Sequence, residues 1–131
     1  MNGHSYNIDM EKTLDIVKLT KMEKILKVAS DLTRLKILFS LFDEHHCHDN
    51  SMDCGLCKCK LCLSEKSVNE IVVLTNCSQS LVSHQLKILK DAKLVVSRKE
   101  GTKVFYSLAD GHIKVLLKVI REHIEEENQN D

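Results

Sequence analysis

The sequence predicts a mainly α-helical domain with one small β-hairpin, and three observations point to this fold class. Proline is absent and only 4 of the 131 residues are glycine, so few residues oppose helix formation. Aliphatic side chains recur at helical spacing in five separate stretches of the chain. Two short alternating segments flank Glu100 and Gly101, which is the pattern of two strands joined by a tight turn.

Length and composition favour one domain that spans residues 1–131. Aromatic residues make up only 4% of the chain, so aliphatic side chains must fill its core. No apolar run is long enough to cross a membrane and no secretory signal opens the chain. We therefore expect a cytoplasmic protein without a membrane partner, whose six cysteines are reduced thiols rather than disulfides.

The first two predicted helices cover residues 11–28 and 30–42. Ser30 or Asp31 would cap the second helix. Its predicted buried stripe consists of Leu35, Leu38, Phe39 and Phe42. The first helix carries more aliphatic surface than so small a chain can bury, so we expect it to form a dimer interface together with the last helix. Ordinary packing in its own core is the alternative.

A cysteine-rich insertion occupies about residues 43–63. It contains two Cys-x-x-Cys pairs separated by a single residue, namely Cys54, Cys57, Cys59 and Cys62. Such pairs bring two sulfurs to one tetrahedral ion, and thiolates favour Zn²⁺, Cd²⁺ or Cu⁺. The segment is therefore a candidate second metal site, and a redox-active or merely cysteine-rich insertion is the alternative.

The middle of the chain predicts a helix-turn-helix. One helix covers residues 68–75, residues 76–78 form the turn, and a second helix covers residues 79–92 with Leu81, Val82, Leu86 and Leu89 facing inward. Polar side chains of a length suited to a major groove remain on the second helix. The candidate DNA contacts on this helix are Gln79, Ser80, Ser83, His84, Gln85 and Lys87. A solvated polar face is the alternative.

The hairpin that follows is predicted to be a basic wing. Its strands cover residues 94–99 and 103–108, and its tip carries Arg98, Lys99 and Lys103. Six basic residues stand against two acidic ones from Ser80 to Tyr106, a net charge of +4 (6 − 2), although the whole chain is formally neutral. A local basic surface on a neutral chain is typical of nucleic-acid contact through one face, and we expect double-stranded DNA as the partner.

The last predicted helix carries four candidate metal ligands, Asp110, His112, His123 and Glu126. The two histidines are 11 residues apart, which places them on one face but about 16 Å apart along the axis. One ion needs ligands within about 2.0–2.2 Å, so a single helix cannot bring both ends to it. Two antiparallel copies can, and a two-fold dimer would make two sites of two imidazoles and two carboxylates, which suits Zn²⁺. Surface polar residues on an amphipathic helix are the alternative.

Three segments carry a recognisable pattern, namely residues 30–38, residues 80–89 with their Val-Ser-His-Gln-Leu run, and the wing at residues 98–106. These segments resemble the ArsR/SmtB family of metal-sensing repressors. The Val-Ser-His-Gln-Leu run and the Asp-x-His…His-x-x-Glu set of the last helix together resemble the zinc-sensing branch of that family. The resemblance implies a dimeric winged-helix repressor that leaves its operator when metal binds. It also implies that Asp110 and His112 of one subunit share an ion with His123 and Glu126 of the other.

Two departures from the family pattern bear on the effector. Many relatives carry a cysteine where this chain has Ser67, so the usual thiolate site is in doubt, and the cysteine-rich insertion is additional. We expect Zn(II) as the effector, with Cd(II), Co(II) or another thiophilic metal as alternatives. The rival functions are a repressor induced by Cd(II), arsenite or reactive sulfur at the cysteine-rich segment, and a metal-buffering protein. We expect neither an enzyme nor a small organic substrate, since no catalytic arrangement stands out.

Overall fold

The computed structural model describes residues 15–42 and 64–129. In chain order the described elements are α1 (Ile16–Ala29), α2 (Leu32–Ser40), β1 (Lys66–Ser67), α3 (Val68–Thr75), α4 (Gln79–Asp91), β2 (Val95–Glu100), β3 (Lys103–Leu108) and α5 (Gly111–Gln129). This is the predicted winged helix-turn-helix, with α3 and α4 as the helix-turn-helix and β2 and β3 as the wing. Among these residues no helix is both long and apolar enough to span a membrane.

Helix α1 begins later than predicted, because Asp15 caps it. The Asp15 carboxylate accepts hydrogen bonds from the backbone N–H groups of Val17 (3.0 Å) and Lys18 (3.2 Å). The predicted start at residue 11 lies outside the described residues. No side chain of α1 is buried, and only its last turns, through Ile25 and Val28, pack against the core.

Helix α2 supplies the centre of the core and is capped by Asp31, whose carboxylate accepts from the Arg34 backbone N–H at 3.0 Å. The predicted buried stripe is only partly correct. Leu38 is fully buried, but Leu35, Phe39 and Phe42 are only partly buried. Ile37 and Leu41, which the prediction left out, have 0% and 1% of their surface exposed.

The helix-turn-helix has the predicted boundaries to within one residue. Asn76 ends α3 in the left-handed conformation (φ 55°), and the Ser78 hydroxyl caps α4 by accepting from the Leu81 backbone N–H. Val82, Leu86 and Leu89 are buried as predicted. Leu81 is 38% exposed, so its predicted inward orientation is wrong.

The sheet has three antiparallel strands in the order β1-β3-β2. Val95 pairs with Leu108 and Glu100 pairs with Lys103, and Gly101 at φ +62° begins the tight turn between them. Strand β1 was not predicted, since two residues are too few to show alternation. It ties the start of α3 to the wing by pairing Lys66 with Tyr106.

Candidate DNA-binding face and sensor helix

The exposed side of α4 presents five of the predicted DNA contacts together. Gln79, Ser80, Ser83, His84 and Lys87 are all exposed. At about 100° per residue they fall within an arc of about 140° around the helix. The buried side of the same helix packs into the core through its leucines. The polar arc is therefore held outward by the packing of the opposite side.

Gln85 differs from the other predicted contacts on α4. It follows Ser83 by two residues, or about 200° around the helix, and is only partly exposed. Its Oε1 accepts a hydrogen bond of 2.9 Å from Arg34 Nη1. The structure therefore turns Gln85 toward α2 rather than outward with Ser83 and Lys87. Sequence reasoning missed Arg34 because 51 residues separate it from Gln85.

The wing places its three predicted basic residues in two different environments. Lys99 and Lys103 are exposed near the turn. Arg98 instead donates from Nε to Glu65 Oε2 and from Nη1 to Glu100 Oε2, each at 2.9 Å. The hydrogen bond with Glu65, and then that with Glu100, raises the pKa of Arg98 above its ordinary value. The guanidinium carbon also lies 5.1 Å from the centre of the Phe105 ring.

The basic side chains of the wing therefore differ in their contacts. Arg98 is held by two carboxylates, so it braces the wing against the segment before β1. Lys99 and Lys103 are exposed on strands β2 and β3, near the tip of the wing. Glu65 carried no sequence signal, because it lies 33 residues from the arginine that it binds.

A cleft of about 390 Å³ lies between the start of α4 and the wing. Gln79 at the start of α4, Lys103 and Phe105 on β3, and Ser67 at the start of α3 line it. The Ser67 hydroxyl accepts from the Glu70 backbone N–H, and the Glu70 carboxylate accepts from the Ser67 backbone N–H, each at 3.3 Å. Ser67 therefore serves as the cap of α3.

The first half of the predicted metal-ligand set lies at the start of α5. Asp110 Oδ1 accepts from the backbone N–H groups of His112 (2.9 Å) and Ile113 (3.1 Å). The same oxygen lies 3.6 Å from His112 Nδ1, and the His112 side chain is 80% exposed. The cap thus holds the carboxylate beside the imidazole at the protein surface.

The second half lies near the other end of α5. The His123 side chain is 73% exposed, and its Nε2 lies 3.4 Å from Glu127 Oε1. Glu126 is also exposed, one residue before Glu127. Sequence reasoning named Glu126 and overlooked Glu127, although the spacing of four residues from His123 could have indicated it.

The two halves lie on one face and do not meet within a chain. The separation of His112 and His123 by 11 residues in one unbroken helix corresponds to about 16 Å. Within the described part of one chain, no three His, Cys, Asp or Glu side chains lie close enough to hold an ion. Between the two halves, the same face of α5 carries Leu116 and Val119, the latter 55% exposed.

The cysteines contribute little to the described structure. The predicted thiol site at Cys54, Cys57, Cys59 and Cys62 lies outside the described residues. Cys77, in the helix-turn-helix turn, is partly buried against the core, and its Sγ donates to the Thr75 carbonyl at 3.6 Å. Cys77 is therefore a packing residue of the turn.

A helix-turn-helix followed by an antiparallel wing defines the winged-helix class of regulators, and comparison with known proteins supports this class. A transcriptional repressor SmtB homologue of Synechocystis is 29% identical over 115 residues, which is 88% of this chain and 72% of that protein. A cadmium resistance transcriptional regulatory protein CadC homologue of Staphylococcus aureus is 32% identical over 106 residues, 79% of this chain and 72% of that protein.

The family follows from the same comparisons. The model of bacterial regulatory proteins of the arsR family matches residues 59–97. The fold matches that of a homodimeric winged helix-turn-helix domain from Mycobacterium bovis with a TM-score of 0.69 and 21% identity, over 91% of this chain and 92% of that one. The chain belongs to the arsR family, and the relatives compared with it are transcriptional regulators.

Proposed function

We propose that this protein is a metal-responsive transcriptional repressor that binds operator DNA as a homodimer and is released when Zn(II) or a similar divalent ion binds. The observation that carries the proposal is the pair of exposed ligand sets at opposite ends of one face of α5. Among the described residues of one chain, neither set is joined by enough further ligands to hold an ion. An antiparallel second copy would complete both.

The dimer is supported by exposed apolar surface on the first and last helices. On α1, Ile16 is 69% exposed and Met22 is 55% exposed, and on α5, Ile120 and Ile124 are 48% and 51% exposed. Surface of this kind is typical of a helix face that a partner covers. The Mycobacterium bovis domain of the same fold is itself described as homodimeric. We therefore assign α1 and α5 to the interface of one winged-helix domain that spans the whole chain.

DNA binding would use the exposed arc of α4 for bases and the wing for phosphates. Ser80, Ser83 and Lys87 lie nearest the centre of the arc, with Gln79 and His84 at its two edges, and side chains in these positions can reach base edges in a major groove. Lys99 and Lys103 carry the positive charge of the wing tip. Basic residues that contact only phosphates set the register of the protein without reading sequence.

The donor chemistry of α5 fits a divalent metal. Asp110 and His112 of one subunit, with His123 and Glu126 of the partner subunit, would offer two nitrogens and two carboxylates, a set suited to Zn²⁺. The Asp110 cap uses one carboxylate oxygen, which leaves the second oxygen for an ion. A bound metal would supply coordination bonds across the two-fold axis. A coupling of about 1.4 kcal/mol between this site and the DNA face is enough for a tenfold loss of operator affinity.

The proposal is tested by adding zinc chloride to the complex of the protein with an operator duplex. We expect operator affinity to fall at least tenfold, and we expect Glu126→Ala to abolish the response while metal-free binding is retained. Glu125→Ala is the matched control, because Glu125 is its neighbour, carries the same charge and pairs with Arg121 on another side of the helix. Unchanged operator affinity in the presence of zinc would refute the metal switch.

A second candidate function changes the inducer and keeps the repressor. Similarity to a cadmium resistance regulator and the four clustered thiols favour a thiophilic species, such as Cd(II), arsenite or reactive sulfur, at Cys54, Cys57, Cys59 and Cys62. Replacement of these four cysteines by serine separates the two candidates. Loss of the cadmium response with retention of the zinc response would assign a second sensor to the thiols.

A further inference from the structure

Arg34 connects the first helix to the back of the recognition helix. Its Nε donates to the carbonyl oxygen of Val28, in the last turn of α1, at 2.6 Å. Its Nη1 donates to Gln85 Oε1, on α4, at 2.9 Å. The Arg34 backbone is fixed as well, because its N–H donates to the Asp31 carboxylate that caps α2. One guanidinium therefore binds the end of one helix and the side of another.

The Val28 carbonyl is one of the last four carbonyls of α1, which have no partner within the helix. Arg34 satisfies it with a charged donor, and hydrogen bonds of this kind are among the stronger ones in proteins. The guanidinium is a rigid planar fork, so two of its nitrogens fix the angle between their acceptors as well as the distance. Both bonds are partly buried, which shields them from competing water.

Gln85 is placed to control the orientation of α4 and not to contact DNA. It lies about 200° around the helix from Ser83, two residues before it, and from Lys87, two residues after it, and both of these side chains are exposed. Movement of Gln85 therefore moves the exposed arc by rotation or tilt of the whole helix. The 13 residues of α4 span about 20 Å, so a tilt of about 10° would displace one end by about 3 Å.

We infer that Arg34 and Gln85 are positioning residues that set the angle of the recognition helix relative to the dimerisation helix α1. The inference rests on the proposed function, because α1 is assigned there to the dimer interface. In a two-fold dimer the two recognition helices must enter major grooves about 34 Å apart. The Arg34 contacts link the helix that sets the two-fold axis to the helix that enters the groove. Without the Arg34 contacts, the distance between the two recognition helices should vary more. The dimer should then select less strongly for one spacing between the two half-sites of the DNA.

The test uses the full-length protein and a duplex that the wild-type protein selects from a random DNA pool. Affinity is measured for this duplex and for versions in which the spacing between its half-sites is one base pair longer or shorter. We expect Gln85→Leu to lower affinity for the selected duplex about tenfold, because the Arg34 guanidinium loses its acceptor. Affinity for the altered spacings should change much less, so the preference for one spacing is reduced.

Gln85→Glu is the rescue variant, since a carboxylate accepts the same bond from Arg34, and it should restore the spacing preference. Arg34→Lys should behave like Gln85→Leu, because one ammonium cannot reproduce the fork. Lys36→Met removes a positive charge from an exposed position on the same helix and should change neither affinity nor preference. The midpoint of thermal unfolding is measured for every variant, so that loss of folded protein is recognised by an equal decrease on all duplexes.

Two results would overturn the inference while the proposed function stands. One is a wild-type spacing preference in Gln85→Leu. The other is an equal loss of affinity on every duplex that Gln85→Glu does not restore. Failure of the wild-type protein to select any duplex from the pool would instead refute the proposed DNA binding itself.

Discussion

The proposed metal site between two subunits predicts a specific pattern of complementation between two variants that do not bind zinc. His112→Ala damages one end of α5 and His123→Ala damages the other, and the two ends are about 16 Å apart on one helix. In a homodimer of either variant, both inter-subunit sites lack one imidazole. In a heterodimer of the two variants, one site lacks both imidazoles and the other is intact.

The expected stoichiometry follows from this count. The wild-type dimer should bind two zinc ions, each homodimeric variant should bind none at the same free zinc concentration, and the heterodimer should bind one. Loss of a direct ligand should weaken zinc binding by at least about 100-fold, the upper range for loss of an outer-shell partner. Differently tagged subunits are co-expressed, the heterodimer is purified through both tags, and bound zinc is measured after equilibrium dialysis.

A matched control uses two variants with damage at the same end. Asp110→Asn keeps an oxygen that can cap α5, as Asp110 Oδ1 does, but removes the carboxylate. A heterodimer of Asp110→Asn and His112→Ala has no intact site, and it should bind no zinc. Failure of the His112→Ala and His123→Ala heterodimer to bind zinc, or equal binding by the control, would refute a site shared between antiparallel helices.

Three further predictions concern the DNA face and the folded domain. Lys99→Ala should weaken binding to operator and to unrelated DNA by similar factors, and it should reduce the slope of log affinity against log salt by about 1. The control Lys36→Ala should change neither the affinity nor the slope. A loss of affinity for the operator alone would contradict a phosphate contact. Leu86→Ala should lower the free energy of unfolding by about 2–5 kcal/mol in urea titrations, because Leu86 has 0% of its surface exposed. Leu81→Ala, at a position 38% exposed, should cost less than half as much, and equal losses would contradict the burial pattern. Ser67→Ala should cost about 1 kcal/mol of unfolding free energy through loss of the capping box, and an unchanged urea midpoint would contradict that role.

Local patterns in the sequence were sufficient for most of the fold. The boundaries of α3 were predicted to the residue. The structure shows that the helix is bounded by a serine cap and a left-handed asparagine, both of which are local features of the sequence. The orientation of Leu81 was wrong although helical geometry could have indicated it. Leu81 lies about 100° from Val82 and about 140° from Leu86 around the helix, which places it beside the buried stripe.

The contacts that orient α4 and the wing could not be predicted from the spacing of residues along the sequence. Arg98 binds Glu65 across 33 residues, and Arg34 binds Gln85 across 51 residues. Such pairs depend on how the chain folds back on itself, and no period of a helix or strand encodes them. The sequence therefore indicated which side chains could contact DNA, but it did not show that Gln85 faces inward and that Arg98 braces the wing.

The arrangement of α5 explains how a weak coupling between metal binding and DNA binding could change the DNA affinity of a dimer that stays assembled. Exposed Val119 and partly buried Leu116, at the middle of this helix face, can hold two subunits together whether or not metal is present. The ligand pairs stand at the two ends of the same face, where a small change in crossing angle produces the largest displacement. A ligand shifts an equilibrium only by the difference between its affinities for the two states, so the metal need favour one crossing angle and need not create the interface. Because Arg34 joins α1 to α4, a change of angle at the interface would reach the recognition helices through a rigid contact.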